Sequence, residues 1–316
     1  MANTPQNHVD ISVDLCGIKL SNPTILASGI LGLSKDLMAR VADNGAGAVT
    51  IKSVSPEPRK GHNGPTVIAY EAGLLNAVGY SNPGADEAAK EFAKIDELHV
   101  PAFASVVATE PEEFAEVAEK LMPCGFAGLI LPLSCPHTPG FGVLAGHSTP
   151  EATEEITRTV RETTDKPIFV KLSPNVPAIG ELVLAALEGG ADGISAVNTL
   201  GPGMIIDIDT AEPVLDFKVG GVSGPALRPV AVRCVYDAYH AMTKAGKVAP
   251  IIGIGGVSSG QHALQMVMAG ASAVGIGTGV YERGFEVFGK VAVEIRQKCL
   301  RLEVDFLSDL RGAAHA

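Results

Sequence analysis

With 316 residues, 46% of them hydrophobic and only 19% charged, the chain carries enough apolar material to bury a large core, in one large domain or two smaller ones. The net charge of −11 argues against binding to nucleic acid or an acidic membrane, both of which need a basic face, although an anion can still be held where a few Lys or Arg converge. The 36 glycines and 5% aromatic content point to α/β architecture rather than a β-sandwich.

The N-terminal stretch MANTPQNHVDISVDL has no apolar signal core, and no run reaches the ~18 apolar residues a membrane span requires, so a soluble, cytoplasmic chain is expected. Cys16, Cys124, Cys135, Cys234 and Cys299 are odd in number and form no CxxC, which indicates neither a disulfide framework nor an iron–sulfur or zinc site. His62, His137, His147, His240 and His262 lack ligand spacing, and HExxH and Walker-type motifs are missing, so no metal is expected. The GIGG run is not a GxGxxG fingerprint, which argues against a Rossmann site.

Short β-branched runs alternate with longer amphipathic segments, the pattern of βα units around a parallel sheet. Strands are predicted over 23–29, 48–54, 101–107, 128–134, 167–173, 193–199, 250–256 and 273–279. Eight is the number that closes a parallel barrel, so the expected fold is an α/β TIM (β/α)8 barrel, with residues 1–316 as a single domain and inserted loops on its C-terminal face.

An internal repeat supports this. NGAGAVTIKS from Asn44, CGFAGLILPL from Cys124, GGADGISAVN from Gly189 and AGASAVGIGT from Ala269 each run from a helix end through a glycine into a strand. The glycine can take the left-handed helix cap, and the small residues after it allow a tight turn. Seven residues beyond each capping glycine come Lys52, Pro132, Val197 and Gly277, which should therefore stand at similar heights near the ends of strands two, four, six and eight. Two long insertions, 55–85 and 200–229, follow the C-terminal ends of strands two and six. Insertions of this length are functional or disordered, and Ile68, Tyr70, Leu74 and Leu75 give the first an ordered apolar centre.

Chemistry concentrates in GLILPLSCPHTPG, residues 128–140, where a buried run ends at Ser134, Cys135, Pro136 and His137. A thiol at a strand end beside polar groups suits proton transfer or nucleophilic attack. The other four cysteines sit in ordinary strand or helix patterns and read as packed thiols. Lys52 in TIKS and Lys171 in VKLSPN end apolar strands, where a lysine needs a partner, so together they suit an anion or an electron-rich ring. Asn76 and Asn198 add neutral hydrogen-bonding groups. Gly255-Gly256 and Gly277-Thr278-Gly279 end the last two strands, with Ser223-Gly224 shortly before strand seven. Backbone approach at those two ends is the common phosphate site of this fold.

Lys52-Ser53, LLNAVGYSNPG, the SCP motif, VKLSPN, VNTLGPG, GGVSGPAL, IIGIGG and AVGIGTG together resemble the flavin-dependent dihydroorotate dehydrogenases, in order and over nearly the whole chain. The cysteine at 135 resembles class 1, and the motifs are closest to the class 1B catalytic subunit, which pairs with an iron–sulfur, FAD-containing electron-transfer subunit. The resemblance implies FMN across the mouth, its phosphate on Gly255, Gly256, Gly277 and Thr278, with Ser223 and Gly224 close by. It also implies Lys52 and Lys171 against the isoalloxazine, and Ala27, Ser28, Gly29, Ser53 and Val197 lining the same pocket. Lys52, Asn76, Gly79, Asn198 and Thr199 would hold the substrate, and Cys135 would be the base. Loop 55–85 would be a lid, and the assembly a homodimer or a heterotetramer with the partner.

The chain departs from the family at Pro132 and His137, where asparagines are usual, and Pro132 supplies no side-chain donor. A paralogue acting on another cyclic amide or unsaturated substrate, and a flavin-binding electron-relay subunit, therefore stay open. So does a barrel aldolase or isomerase using Lys52 or Lys171 as a Schiff-base lysine.

Overall fold

Strands buried on both faces must be apolar on both, and their side chains alternate between the faces. In the computed structural model, which describes residues 9–133 and 147–316, eight runs of this kind become parallel strands. They are β1 (Thr24–Leu26), β2 (Val49–Thr50), β3 (Ala102–Ser105), β4 (Gly128–Pro132), β5 (Ile168–Leu172), β6 (Gly193–Ala196), β7 (Ile251–Ile254) and β8 (Ala273–Ile276). Each strand pairs with its neighbours in chain order and β8 pairs with β1. A parallel bridge between Ile25 and Ala48, with Leu26 N donating to Ala48 O at 3.0 Å, closes the ring between β1 and β2.

Alternation divides the core in two. Leu26, Val49, Ala104, Leu131, Val170, Ile194 and Ile276 face outward into one cluster with the surrounding helices. Ile25, Ala48, Phe103, Ile130, Phe169, Ile252 and Ala273 fill the barrel interior. An N-terminal hairpin, Val13–Leu15 with Ile18–Leu20, adds Leu15, Ile18 and Leu20 to this inner cluster and stoppers the amino-terminal end. Phe103 and Phe169 meet edge to face, ring centroids 5.7 Å apart. Room for Phe169 comes from Gly193, where a β-carbon would lie 2.4 Å from its Cε1.

The outer layer is α1 (Lys35–Asp43), α2 (Ala85–Glu91), α3 (Pro111–Leu121), α4 (Pro150–Arg161), α5 (Ile179–Glu188), α6 (Arg228–Lys244), α7 (Gly260–Met268), α8 (Gly279–Arg283) and α9 (Val287–Arg301). Ser34, Thr149 and Ser259 cap α1, α4 and α7 by accepting from a first-turn N–H. The capping glycines of the repeat, Gly45, Gly125, Gly190 and Gly270, all take positive φ, at 90°, 97°, 96° and 123°.

Several strands stop earlier than the apolar runs that encode them. Ala27 to Gly29, Val197 to Thr199 and Gly255-Gly256 leave the ladder and turn into the barrel mouth. The two insertions do not act as separate loops: they pair into one antiparallel sheet in the order 200–203, 220–223, 73–76, 67–70. Leu75, Ala77 and Leu215 are buried beneath it, with Ile68, Phe217 and Val222 packed around them. His62 stacks on Phe217 with ring centroids 3.8 Å apart. The expected lid 55–85 is thus tied at its centre to the second insertion. Cys16 also differs from expectation. It is exposed at the hairpin turn with φ of 56°, its Sγ 3.4 Å from Asp192 O, whereas Cys124 and Cys299 are buried and Cys234 partly so.

Gly193→Ala should drive a methyl into Phe169 and lower stability by about 1–3 kcal/mol, the usual cost of overpacking. Calorimetric unfolding of the variant beside the parent measures this, and an unchanged midpoint would contradict the interior packing described.

Candidate active site at the carboxyl end of the barrel

Following the strands beyond the inner apolar layer shows how the site is made. Ala27, Pro132, Lys171 and Ile254 stand two residues past that layer and Lys52, Val197 and Gly277 four past it, and all of them border one cavity of about 290 Å³ at the barrel mouth. Lys52, Pro132, Val197 and Gly277, the four positions aligned by the repeat, meet there as that alignment requires. Ser28, Gly29, Ser53, Asn76, Gly79, Asn198, Thr199, Ser223, Gly224, Gly255, Gly256 and Thr278 line the same cavity.

Two lysines dominate its electrostatics. Lys171, on β5, is only 6% exposed, with Nζ 3.4 Å from Ser28 Oγ. Burial lowers its pKa to about 8. Lys52 is partly buried, and burial lowers its pKa as well. Burial is the sole cause in both cases, with no carboxylate among the described residues opposing it. Two cations drawn out of water without counter-charge fit an anion or an electron-rich ring held between them.

At the other end the wall is backbone. Gly224, Gly255 and Gly256 have φ of 88°, 142° and 67°. A β-carbon on Gly277 would meet nothing closer than Ala27 Cβ at 3.9 Å, so it would project into the open cradle. Thr278 Oγ1 donates to Ser223 Oγ at 2.8 Å, and Ser223 Oγ faces Leu74 O at 3.4 Å, tying the end of β8 to the cap sheet. Backbone-lined hollows of this kind accept phosphate groups.

The asparagines are held by the cap and by β6. Asn76 Nδ2 donates to Gly221 O at 3.0 Å, and Asn198 Oδ1 accepts from Thr199 N at 2.8 Å. Gly79 has its own reason to be glycine, because a β-carbon there would lie 2.7 Å from the His62 ring. Thr199 packs against Gly221, where a β-carbon would lie 2.1 Å from Thr199 Oγ1.

Cys135 lies outside the described residues, as do Ser134, Pro136 and His137. The strand leading to it delivers Pro132 to the cavity rim, and Leu133 N donates to Lys171 O at 3.1 Å. Pro132 is tolerated because the ladder between β4 and β3 has already ended at Ser105–Ile130, so the missing N–H has no call on it.

The apolar wall was not legible beforehand. Ile30, Leu74, Val78, Tyr80, Leu227 and Val257 also line the cavity. Leu74, Val78 and Tyr80 lie in LLNAVGYSNPG and Leu227 in GGVSGPAL, so the motifs marked those stretches without marking which side chains face inward, and Ile30 and Val257 carried no signal.

Residues 10–299 match the family profile described as Dihydroorotate dehydrogenase. The chain is 45% identical over 305 residues to the "Dihydroorotate dehydrogenase B (NAD(+)), catalytic subunit" of Pyrococcus horikoshii, covering 96% of this chain and 97% of that one. It is 41% identical over 310 residues to the protein of the same description from Methanocaldococcus jannaschii, covering 96% and 98%. Among solved structures, DHODH from Eimeria tenella superposes with a TM-score of 0.84 at 21% identity, covering 100% of this chain and 91% of that one, a likeness of fold. The eight-stranded barrel, its cavity and these similarities together establish that the chain belongs to the dihydroorotate dehydrogenase family, whose members are flavin-dependent oxidoreductases.

Proposed function

We propose that this chain oxidises dihydroorotate to orotate, a step of pyrimidine biosynthesis, with FMN bound in the mouth cavity and Cys135 as general base. The observation that carries the reading is Lys171, a buried cation with no carboxylate beside it among the described residues, which shares one cavity with a glycine-built cradle. That combination fits a ligand with a phosphate at one end and an electron-rich ring at the other. Membership of an oxidoreductase family removes the aldolase reading.

The phosphate of FMN would rest on the backbone of Gly255, Gly256, Gly277 and Thr278, with Ser223 and Gly224 beside it. Lys52 and Lys171 would face the isoalloxazine, and Ala27, Ser28, Gly29, Ser53 and Val197 would complete its pocket. Lys52, Asn76, Asn198 and Thr199 would orient the pyrimidine, with Gly79 shaping the loop around it. Bound FMN supplies the acceptor for the hydride that leaves C6 of the substrate. The thiolate of Cys135 takes the proton from C5, so substrate loses one proton and one hydride and becomes orotate. The cap sheet over the mouth would restrict water.

The chain carries neither a cluster motif nor a nicotinamide fingerprint, and the relatives are named catalytic subunits. An iron–sulfur, FAD-containing partner is therefore proposed as the route for electrons to leave, in a heterotetramer built on a homodimer. A second reading rests on Pro132, which presents no donor to the cavity. It assigns the same chemistry to another cyclic amide.

Anaerobic addition of dihydroorotate to FMN-loaded protein should bleach the flavin absorbance. Bleaching by a different cyclic amide but not by dihydroorotate would favour the second reading. Cys135→Ala should slow bleaching at neutral pH by about 10²-fold or more, and an undiminished rate would remove Cys135 as the base.

Lys171→Met should act oppositely on stability and binding. The folded chain holds this lysine's pKa at about 8 against 10.5 when unfolded. Between those values the unfolded state binds more protons, so stability of the ligand-free chain rises with pH through that window. Replacing the lysine should remove this rise and stabilise the ligand-free chain near neutral pH by an amount on the order of 3 kcal/mol. FMN affinity should fall by about tenfold or more. Melting curves between pH 7 and about 10, with FMN titrations, test both signs.

A further inference from the structure

Behind the glycine floor lies a pair of side chains that the backbone cradle does not itself require. Arg228 opens α6, and its Nη1 is 2.9 Å from Nε2 of His262, in the first turn of α7. A β-carbon on Gly256 would lie 2.7 Å from Arg228 Cβ and 2.6 Å from Gly224 O, so the arginine backs directly onto Gly256, which itself abuts Gly224. Arg228 is not among the residues that line the cavity, and any influence it has on a ligand passes through that floor.

The hydrogen bond dictates a protonation state. A guanidinium only donates, so Nε2 must accept and the imidazole must be neutral, with its proton on Nδ1. Nδ1 lies 3.4 Å from Ser258 N, a donor that competes for the opposite tautomer, and 3.5 Å from Ser258 Oγ, which can accept from it. Both contacts are long, so the 2.9 Å bond from Arg228 decides where the proton sits, and His262 N is fixed by the Ser259 hydroxyl at 3.3 Å. The segment from Gly255 to His262 thus carries two floor glycines at one end and the acceptor for Arg228 at the other.

We propose that His262 and Arg228 are positioning residues for the cofactor phosphate: the neutral imidazole ties the start of α6 to the start of α7 and so fixes the spacing of Gly224 and Gly256. The inference rests on the reading that a flavin phosphate occupies this floor. Protonation of His262 leaves Arg228 with no acceptor on the ring and sets two cations 2.9 Å apart, which loosens the floor.

The other charges facing His262 do not offset this. Glu294, on α9, is committed to Arg283 Nη2 at 2.7 Å and to Gly260 N at 2.6 Å. Arg283, on α8, also donates to Ser258 O at 2.6 Å, and Glu282 beside it is exposed. Burial first, and then the Arg228 charge, push the imidazole pKa below its ordinary value, while Glu282 and Glu294 pull the other way. Its neutral form is therefore the state at pH 7, and the bond is lost as pH falls below the ordinary histidine range.

The test is FMN affinity of the apoprotein, read by flavin fluorescence between about pH 5.5 and 8, a range that brackets the histidine transition. The phosphate of FMN titrates in the same range, so His262→Asp serves as the reference, its carboxylate holding Arg228 throughout. Wild-type affinity should fall with acid by about tenfold more than that of His262→Asp. His262→Leu should be weak at every pH, and riboflavin, which has no phosphate, should bind all three alike. Identical pH profiles for wild type and His262→Asp would overturn the inference alone. An apoprotein that takes up FMN at no pH would overturn the flavin reading together with it. Independently of any ligand, nitrogen-15 shifts of His262 in the apoprotein should show the Nδ1–H tautomer, and an Nε2–H tautomer would refute the Arg228 bond.

Discussion

The packing of Phe103, Ile130, Phe169 and Ile252 inside the ring is the interaction on which the rest depends. A closed parallel barrel has no sheet edge to water, so its interior must be filled by side chains. The lower half is filled with aromatic and branched groups and stoppered by Leu15, Ile18 and Leu20 from the N-terminal hairpin. Only above that layer can the inward positions turn polar. Because β5 is held on both sides, Lys171 has a fixed place from which its ammonium cannot reach open solvent. Its buried charge is a cost that the apolar packing sustains and a bound ring or anion offsets.

The carboxyl end is completed by a second construction. Two insertions from opposite parts of the chain form one four-stranded sheet over the mouth, pinned by the His62–Phe217 stack and the Thr278–Ser223 hydroxyl pair. Phosphate cradle and cap are therefore joined through the same residues. The cradle is in turn backed by Arg228 and His262, which link neighbouring helix starts. Among the described residues, the cavity rim is thus joined to strands and helix starts of the barrel, as a site built on rigid elements permits.

Much of this was legible from residue order. Eight apolar runs and a four-fold glycine repeat indicate the barrel, because helix-to-strand turns need glycine at positive φ and strands buried on both faces must be apolar throughout. Lys52, Pro132, Val197 and Gly277 could be placed at one level before any coordinates, since equal offsets from equivalent caps give equal heights. The SCP motif stands out in the sequence, and Cys135 lies outside the described residues.

By itself, then, the sequence determined the strand count, the order of the βα units and the set of polar residues gathered at the carboxyl face, all of which follow from local periodicity and turn chemistry. Tertiary structure alone decided that 67–70 and 73–76 share a sheet with 200–203 and 220–223, that Lys171 is buried with no carboxylate beside it among the described residues, and that Arg228 finds its acceptor in His262. Those pairings join residues 34 to more than 100 positions apart, and no local pattern encodes them. They exist because closing the barrel brings distant strand ends around a single mouth.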